Sequence, residues 1–346
     1  MLLEGLHLPI TTPFYSDGRL NLRKIEHNVD RYSRSPAAGL AVLSDVGEPA
    51  MLSDAETREA LTAAISLAAE TKVMLAGVSR SSVPGTLELA DFAAGAGYDA
   101  VLIKRPDALI ERPRELMVYF QAVADSSPLP VVLYSTRSSA MSVEAIAALA
   151  AHPRVIGLVD EDSAAGRIER LIELTSAIRY EVTVTNIFAA VTGRMLAVKQ
   201  AEGSATFVSA DTLGSGAAVA TAPPKPAIKT RTRTVGFQIV AASSTGMLEG
   251  LRAGAVGAMP AFAASAPQAT YEVYAAWKDG DQPLADLKQS RISQAIDIVE
   301  EELGLAGIRY ASELTGYFGG RPRLPVLPLG GDDRERVEQA MKGIRN

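Results

Sequence analysis

The sequence predicts a (β/α)8 barrel with a C-terminal helical extension and an insertion near strand seven. Its first half repeats one pattern, a short β-rich run followed by an amphipathic helix, six times in succession up to about residue 175. Such alternation argues for a parallel sheet with crossover helices. Two later runs, 235–242 (VGFQIVAA) and 255–261 (AVGAMPA), bring the strands to the number that closes a barrel. The third observation is an absence. No early strand is followed by GxGxxG, the phosphate-binding turn that marks many open, doubly wound sheets.

The elements follow in order. Residues 7–13 read as strand one, and Leu22, Ile25 and Val29 lie at helical spacing behind it. GLAVL (39–43) is strand two. Ser53 and Glu56 then form a capping box, with a hydroxyl N-cap and a glutamate that reaches back. VMLAGV (73–78) is strand three, and Pro84 suits the first turn of its helix. Strands four to six are AVLI (100–103), PVVLY (130–134) and VIGLV (155–159), followed by helices that open near Pro113, at Ser142, and around Ile168, Leu171 and Ile172.

Residues 180–234 break the rhythm. They hold EVTVTN, a possible helix at 187–200, a Gly/Ala/Thr-rich run with APPKP, and KTRTRT at 229–234. They read as an inserted β-ribbon or loop whose Lys/Arg–Thr alternation is a solvated strand face. If VGFQIVAA is strand seven, the preferred reading, the insertion lies on the face opposite the strand C-termini. Residues 1–265 are then the barrel and 266–346 the helical extension, which ends in a helix at 332–344.

Composition removes several function classes. Of 346 residues, 47% are hydrophobic and 21% charged, which excludes disorder. Cysteine is absent, so there is no disulfide, thiolate metal site or thiol nucleophile. The three histidines, His7, His27 and His152, have no metal-ligand spacing. A net charge of −6 argues against a nucleic-acid surface. The start of the chain has no signal-like pattern, and the uncharged stretch 253–271 is broken by Gly254, Gly257, Pro260 and Pro267, so a cytoplasmic protein with no membrane partner is expected.

Six segments in order carry a family resemblance: TTPFYSDGRLN (11–21), GLAVLSDVGEPAMLSDAE (39–56), LPVVLYS (129–135), HPRVIGLVD (152–160), GMLEGLRAGAVGAM (246–259) and GIRYASELTGYFGGRPRLPVLPL (307–329). The chain resembles the dihydrodipicolinate synthase / N-acetylneuraminate lyase family everywhere except roughly 180–234. The resemblance implies a barrel with a helical extension, a homodimer or homotetramer, and a small oxo acid or sugar-like ligand. It also implies imine chemistry, in which a lysine amine condenses with the ketone of a 2-oxo acid. It implies no cofactor.

Carried over residue by residue, the resemblance is incomplete. The family's proton-shuttling tyrosine matches Tyr134, and the Gly-Glu after strand two matches Gly47 and Glu48. The threonine pair that would hold a substrate carboxylate is replaced by Asp45 and Val46. The arginine after strand five falls near Ser139, with Arg137 two residues away. The tyrosine expected after the strand-four proline is missing, since Pro106 is followed by Asp107 and Ala108. The imine-forming lysine is Val159, which has no nucleophile, so imine chemistry from that position is impossible.

Active sites of such barrels lie at the C-terminal ends of the strands. The candidates there are Asp45, Glu48, Lys104, Arg105, Tyr134, Asp160, Glu161 and Asp162. An ionised Asp45 would repel a carboxylate. It points either to a sugar, an amine or a metal-bound ligand, or to a solvated loop in a decayed site. Lys104 is either a relocated imine lysine, desolvated or crowded by Arg105, or a surface lysine paired with Asp107 or Glu111. Asp160 and Asp162 with Asp45 or Glu48 could offer oxygen ligands, but the spacing is no metal signature and no metal is assigned. Tyr134 is either a proton carrier or an aromatic bonded to backbone. His7 reads as a packed polar residue and His152 as a loop residue. Two functions stay open: a lyase- or aldolase-type enzyme with a rewired mechanism, catalysed through Tyr134 and Lys104 over Asp45, Val46, Gly47, Glu48, Ser139 and Val159, or a non-catalytic homologue that binds a small molecule or partner.

Overall fold

The computed structural model describes residues 1–187, 189–197 and 228–344. The parallel strands β1 (Gly5–Ile10), β2 (Gly39–Val42), β3 (Val73–Gly77), β4 (Ala100–Lys104), β5 (Val131–Ser135) and β6 (Val155–Asp160) follow one another around the sheet. The chain then makes a separate antiparallel ribbon, β7 (Tyr180–Thr185) against β8 (Thr230–Val235). It returns to the barrel with β9 (Gln238–Ala241), which pairs with β6, and β10 (Gly257–Ala258), which closes on β1. Helices α1 (Leu22–Ser33), α2 (Asp54–Leu67), α3 (Val83–Ala96), α4 (Pro113–Ser126), α5 (Val143–Ala150), α6 (Ala165–Leu174) and α7 (Met247–Arg252) form the outer layer. The extension adds α8 (Pro267–Lys278), α9 (Gln282–Ile296), a π-helical turn (Asp297–Glu302), α10 (Gly304–Leu314) and α11 (Gly331–Met341).

Strand alternation sorts the core into two shells. Along β3, Val73 and Leu75 point into the barrel, whereas Met74 and Ala76 face the helices. The interior is closed by Leu102, Val132, Val159, Val240 and Met259, so it is packed and not a pore. Local signals act as expected. Ser53 Oγ accepts from Glu56 N at 3.2 Å and the Glu56 carboxylate accepts from Ser53 N at 3.0 Å, completing the capping box.

Several expected boundaries move. VGFQIVAA is split: Val235 ends the ribbon, and the barrel strand begins at Gln238. AVGAMPA contracts to two residues, because a Cβ on Gly257 would lie 2.4 Å from the Gly5 carbonyl oxygen and Pro260 ends the ladder. The expected helix at 187–200 and APPKP fall wholly or partly outside the described residues. The KTRTRT segment is the β8 edge of the ribbon, mostly exposed.

The ribbon sits at the N-terminal ends of the barrel strands. Tyr180 donates its hydroxyl to the Val155 carbonyl (2.7 Å) at the start of β6, and Arg233 pairs with Glu4 (2.8 Å) just before β1. The segment after β7 is tied to the same end, with Gly193 N on Asp99 Oδ1 at 3.0 Å. Among the described residues, no helix is long and apolar enough to cross a membrane.

Candidate active site

The turn after β2 is sharply bent. Leu43 takes φ 60° and Glu48 φ 51°, both in the left-handed region that costs a branched or bulky residue energy. Gly77 permits this, because a Cβ there would lie 1.9 Å from the Leu43 carbonyl oxygen. Two short 3-10 turns, Asp45–Gly47 and Pro49–Met51, follow, and Thr12 Oγ1 donates to the Gly47 carbonyl at 2.6 Å. The turn presents Asp45 and Val46 to a cavity of about 220 Å³ at the C-terminal mouth. Glu48 turns away: its carboxylate is buried against the Arg309 guanidinium of α10, which also donates to the Thr12 carbonyl at 3.0 and 2.9 Å.

Alternation along β4 and β5 puts Lys104 on the inward face with Leu102 and Tyr134 with Val132. Lys104 Nζ donates to Asp45 Oδ2 at 2.7 Å and to Ser138 Oγ at 3.2 Å. Its partner is therefore neither Asp107 nor Glu111. The pairing also offsets the charge that Asp45 alone would set against an anionic ligand. Tyr134 lines the same cavity, and its phenol is raised well above its ordinary range by burial and by the charges of Asp45 and Glu161. Val159 lies beside Tyr134 in the β5–β6 register and is 0% exposed, packed into the barrel interior. Ser139 is buried behind the mouth, its hydroxyl without a partner among the described residues.

The acidic residues after β6 divide. Asp160 faces outward, and Arg167 of α6 holds it at 2.8 Å and Asp162 at 3.7 Å. That guanidinium occupies the position a cation would need, and no group of three or more potential metal ligands occurs among the described residues. Glu161 instead faces the mouth. Its carboxylate accepts from Arg137 N at 2.7 Å, and burial raises its pKa. His7 is buried with Nε2 3.0 Å from the Leu3 carbonyl oxygen, and burial lowers its pKa to about 4. His152 pairs with Asp125 on the surface.

Sequence reasoning missed the contribution of the extension. The π-helical turn carries Glu300 and Glu301 over the mouth, and π-turns recur at functional sites. Glu300 lines the cavity with Tyr134 and Glu161 and accepts a hydrogen bond from Ser244 Oγ. Burial, with the negative charges of Glu301 and Glu161, raises its pKa to about 7. Glu301 takes the Arg137 guanidinium in a two-pronged pair, with Nη2 to Oε1 at 2.7 Å. A signal was present: Glu300 stands four residues after Ile296 and eight after Ile292, on the buried stripe of its helix. A carboxyl that can hold or release its proton near neutrality, a phenol and a second raised carboxyl thus share one small pocket, which suits acid–base chemistry.

The site can be set against known proteins. The model described as the dihydrodipicolinate synthetase family matches residues 2–209 and 226–344. A 4-hydroxy-tetrahydrodipicolinate synthase of Acidiphilium cryptum is 24% identical over 99% of this chain and 99% of its own length. One from Stenotrophomonas maltophilia is 31% identical over 51% of this chain and 61% of its own. The crystal structure of the chloride-inhibited dihydrodipicolinate synthase of Acinetobacter baumannii complexed with pyruvate superposes with a TM-score of 0.77 at 21% identity, over 99% of this chain and 100% of that one. That of YagE from E. coli K12 in complex with pyruvate gives 0.77 at 20% identity, over 99% of each chain.

Proposed function

This chain belongs to the dihydrodipicolinate synthetase family, and from that membership we propose that it is a lyase- or aldolase-type enzyme for a small oxo acid or sugar derivative that works without a barrel imine. The observation that carries the reading is the pocket at the C-terminal mouth, where Tyr134, Glu161 and Glu300 converge. In cleavage of a β-hydroxy carbonyl, a carboxylate, Glu161, takes the hydroxyl proton. The carbon–carbon bond breaks, and its electron pair passes to the carbonyl oxygen of the departing fragment. Protonated Glu300 donates to that oxygen as charge develops, doing the work the imine nitrogen would otherwise do. Tyr134 then protonates the enol carbon while Glu300 takes back the enol hydroxyl proton to form the ketone, and the proton held by Glu161 passes to the Tyr134 oxygen, restoring all three groups. Lys104 serves in this reading as the counter-ion of Asp45, with no nucleophilic role. Lys104 offsets the charge of Asp45 and Arg137 that of Glu301, and the carboxylate ligand class rests on the pyruvate complexes of the two structural relatives. The reading uses no metal or cofactor. It carries with it a homodimer or homotetramer, which sedimentation measures.

A second reading, a catalytically inactive homologue that binds a small molecule or partner, is favoured by Val159 itself. One pair of measurements separates the two. Borohydride with pyruvate, followed by mass spectrometry, is expected to give no adduct; an adduct on Lys104 would overturn the imine-free mechanism. Proton NMR of pyruvate in D2O is expected to show protein-dependent exchange of the methyl hydrogens that Glu300→Gln abolishes. Binding without exchange would establish the inactive reading.

A further inference from the structure

At the opposite end of the barrel, described residues in and flanking the ribbon help to wall a second cavity. It measures about 760 Å³ against about 220 Å³ for the pocket beside Tyr134, and falls in the size range of small-molecule sites, roughly 300–1,000 Å³. Ile187, Ala189, Ala190 and Arg233 come from the insertion. The barrel side supplies Leu2 and Leu6 at strand one, and α8 supplies Tyr271, Tyr274 and Lys278.

The walls are fixed by hydrogen bonds distant in sequence. Thr192 Oγ1 donates to the Glu70 carbonyl, Arg194 Nη1 donates to the Ala68 carbonyl at 3.0 Å, and Arg233 Nη1 binds Glu4 Oε2 at 2.8 Å. A pre-formed cavity spares a ligand the cost of ordering it. Its charge is one-sided. Arg233 and Lys278 share the single carboxylate of Glu4, at 2.8 and 3.8 Å. Among the described residues, Lys72 donates to the neutral carbonyls of Ser35 and Ala37, at 2.7 and 2.6 Å. The described lining residues of the cavity edge therefore carry more positive than negative charge in a protein whose net charge is −6. Tyr274 in its wall is 3% exposed, and its hydroxyl has no partner among the described residues, an unmet hydrogen-bonding demand. Half-buried Tyr271, backed by Tyr274 at a centroid distance of 6.3 Å, offers aromatic surface beside these cations.

We propose that this cavity is a binding site for a small organic anion with a flat apolar body, such as an aromatic carboxylate: the body against Tyr271 and Ala190, the anionic group on Arg233 and Lys278. The site is separate from the catalytic mouth and does not depend on the chemistry assigned there.

The native chain has no cysteine, so one introduced at the rim labels uniquely. Thr71→Cys places a thiol on the exposed edge of the cavity. Naphthoate is expected to bind by calorimetry and to slow maleimide alkylation of that thiol by about tenfold at saturation. Neutral naphthamide, and naphthoate with the Arg233→Gln/Lys278→Gln variant, are expected to bind about tenfold more weakly. Should the double variant melt below the parent, Lys278→Gln alone gives the same comparison. Absence of protection, or equal binding of acid and amide, overturns the proposal. Pyruvate exchange at the mouth is measured in the same samples, so failure here is distinct from failure of the proposed activity.

Discussion

At the C-terminal mouth Glu161 and Glu300 are half-buried together with raised pKa values, and Glu300 is held by a hydroxyl; at the N-terminal mouth the acids Glu4 and Asp99 have cations, Arg233 and Arg194, at 2.8 and 3.7 Å. One end gathers two raised carboxyls in one pocket with no cation in a direct ion pair with either among the described residues; the other gives each acid a cation within 4 Å, although burial raises Asp99 there as well. Chemistry needs a group poised between two protonation states, whereas stability needs it settled in one. The ribbon is docked at the settled end, and the poised Glu300 comes from the C-terminal extension. The contrast follows the general division of barrel faces into catalytic and structural ends.

The contrast breaks first, and hardest, at the joint between extension and mouth. Arg309→Met would leave Glu48 buried without its partner and the Thr12 carbonyl without its donors. Removing one member of a buried pair costs about 3–5 kcal/mol. The urea midpoint should fall accordingly, and amide exchange should quicken over 45–51 while the ribbon keeps its protection. A loss under about 1 kcal/mol would mean the extension does not hold the turn.

Glu300 gives the next effect, with a sign that separates function from stability. Its folded pKa is raised from 4.5 to about 7, so the folded state holds the proton longer than the unfolded chain. The stability this group contributes is fully present below about pH 4.5 and is lost as pH rises through 7. Glu300→Gln removes that loss. The variant should match the parent near pH 4.5 and exceed it by roughly 2–3 kcal/mol at pH 8, while losing about 10²–10⁴-fold in any acid–base rate. Urea melts at the two pH values decide; a variant less stable at pH 8 would show that Glu300 is an ordinary packing group.

These residues also show what the sequence could reveal. The barrel was legible because each β–helix unit carries its own local signals, such as the Ser53–Glu56 box and the continuous apolar run at 73–77. The placement of Tyr134, Lys104 and Asp45 at one mouth followed from strand ends alone. The partner of Lys104 did not, because Asp45 lies 59 positions away and the two meet only in the folded barrel, over the end of the intervening β3. Glu300 escaped for a similar reason: it is delivered by a helix packed across the mouth after the barrel is complete. Glu48 read as a ligand-binding residue until the left-handed turn aimed it at Arg309, and no sequence pattern announces a φ of 51° at a glutamate.

At the settled end the expected effects are smaller. The Tyr180 hydroxyl donates to the Val155 and Ala150 carbonyls at 2.7 and 3.1 Å, so Tyr180→Phe should cost about 1 kcal/mol. Limited proteolysis should then cut first within the insertion, with pyruvate exchange unchanged. Equal loosening at both mouths would show that the two ends are coupled.

The smallest stability effect, and the finest test of the comparison, is at Lys104. Its side chain is 22% exposed and that of Asp45 36%, so the pair is partly solvated and worth within about 1 kcal/mol. Lys104→Met should therefore shift the melting midpoint little. It should, however, uncover the Asp45 charge beside the pocket and weaken pyruvate several-fold, about 1 kcal/mol of repulsion. The Asp45→Asn/Lys104→Met double variant removes the charge and should bring affinity back toward the parent. If Lys104→Met alone leaves affinity unchanged, the carboxylate does not approach the strand-two turn, and the oxo acid must be held on the Arg137 side of the mouth.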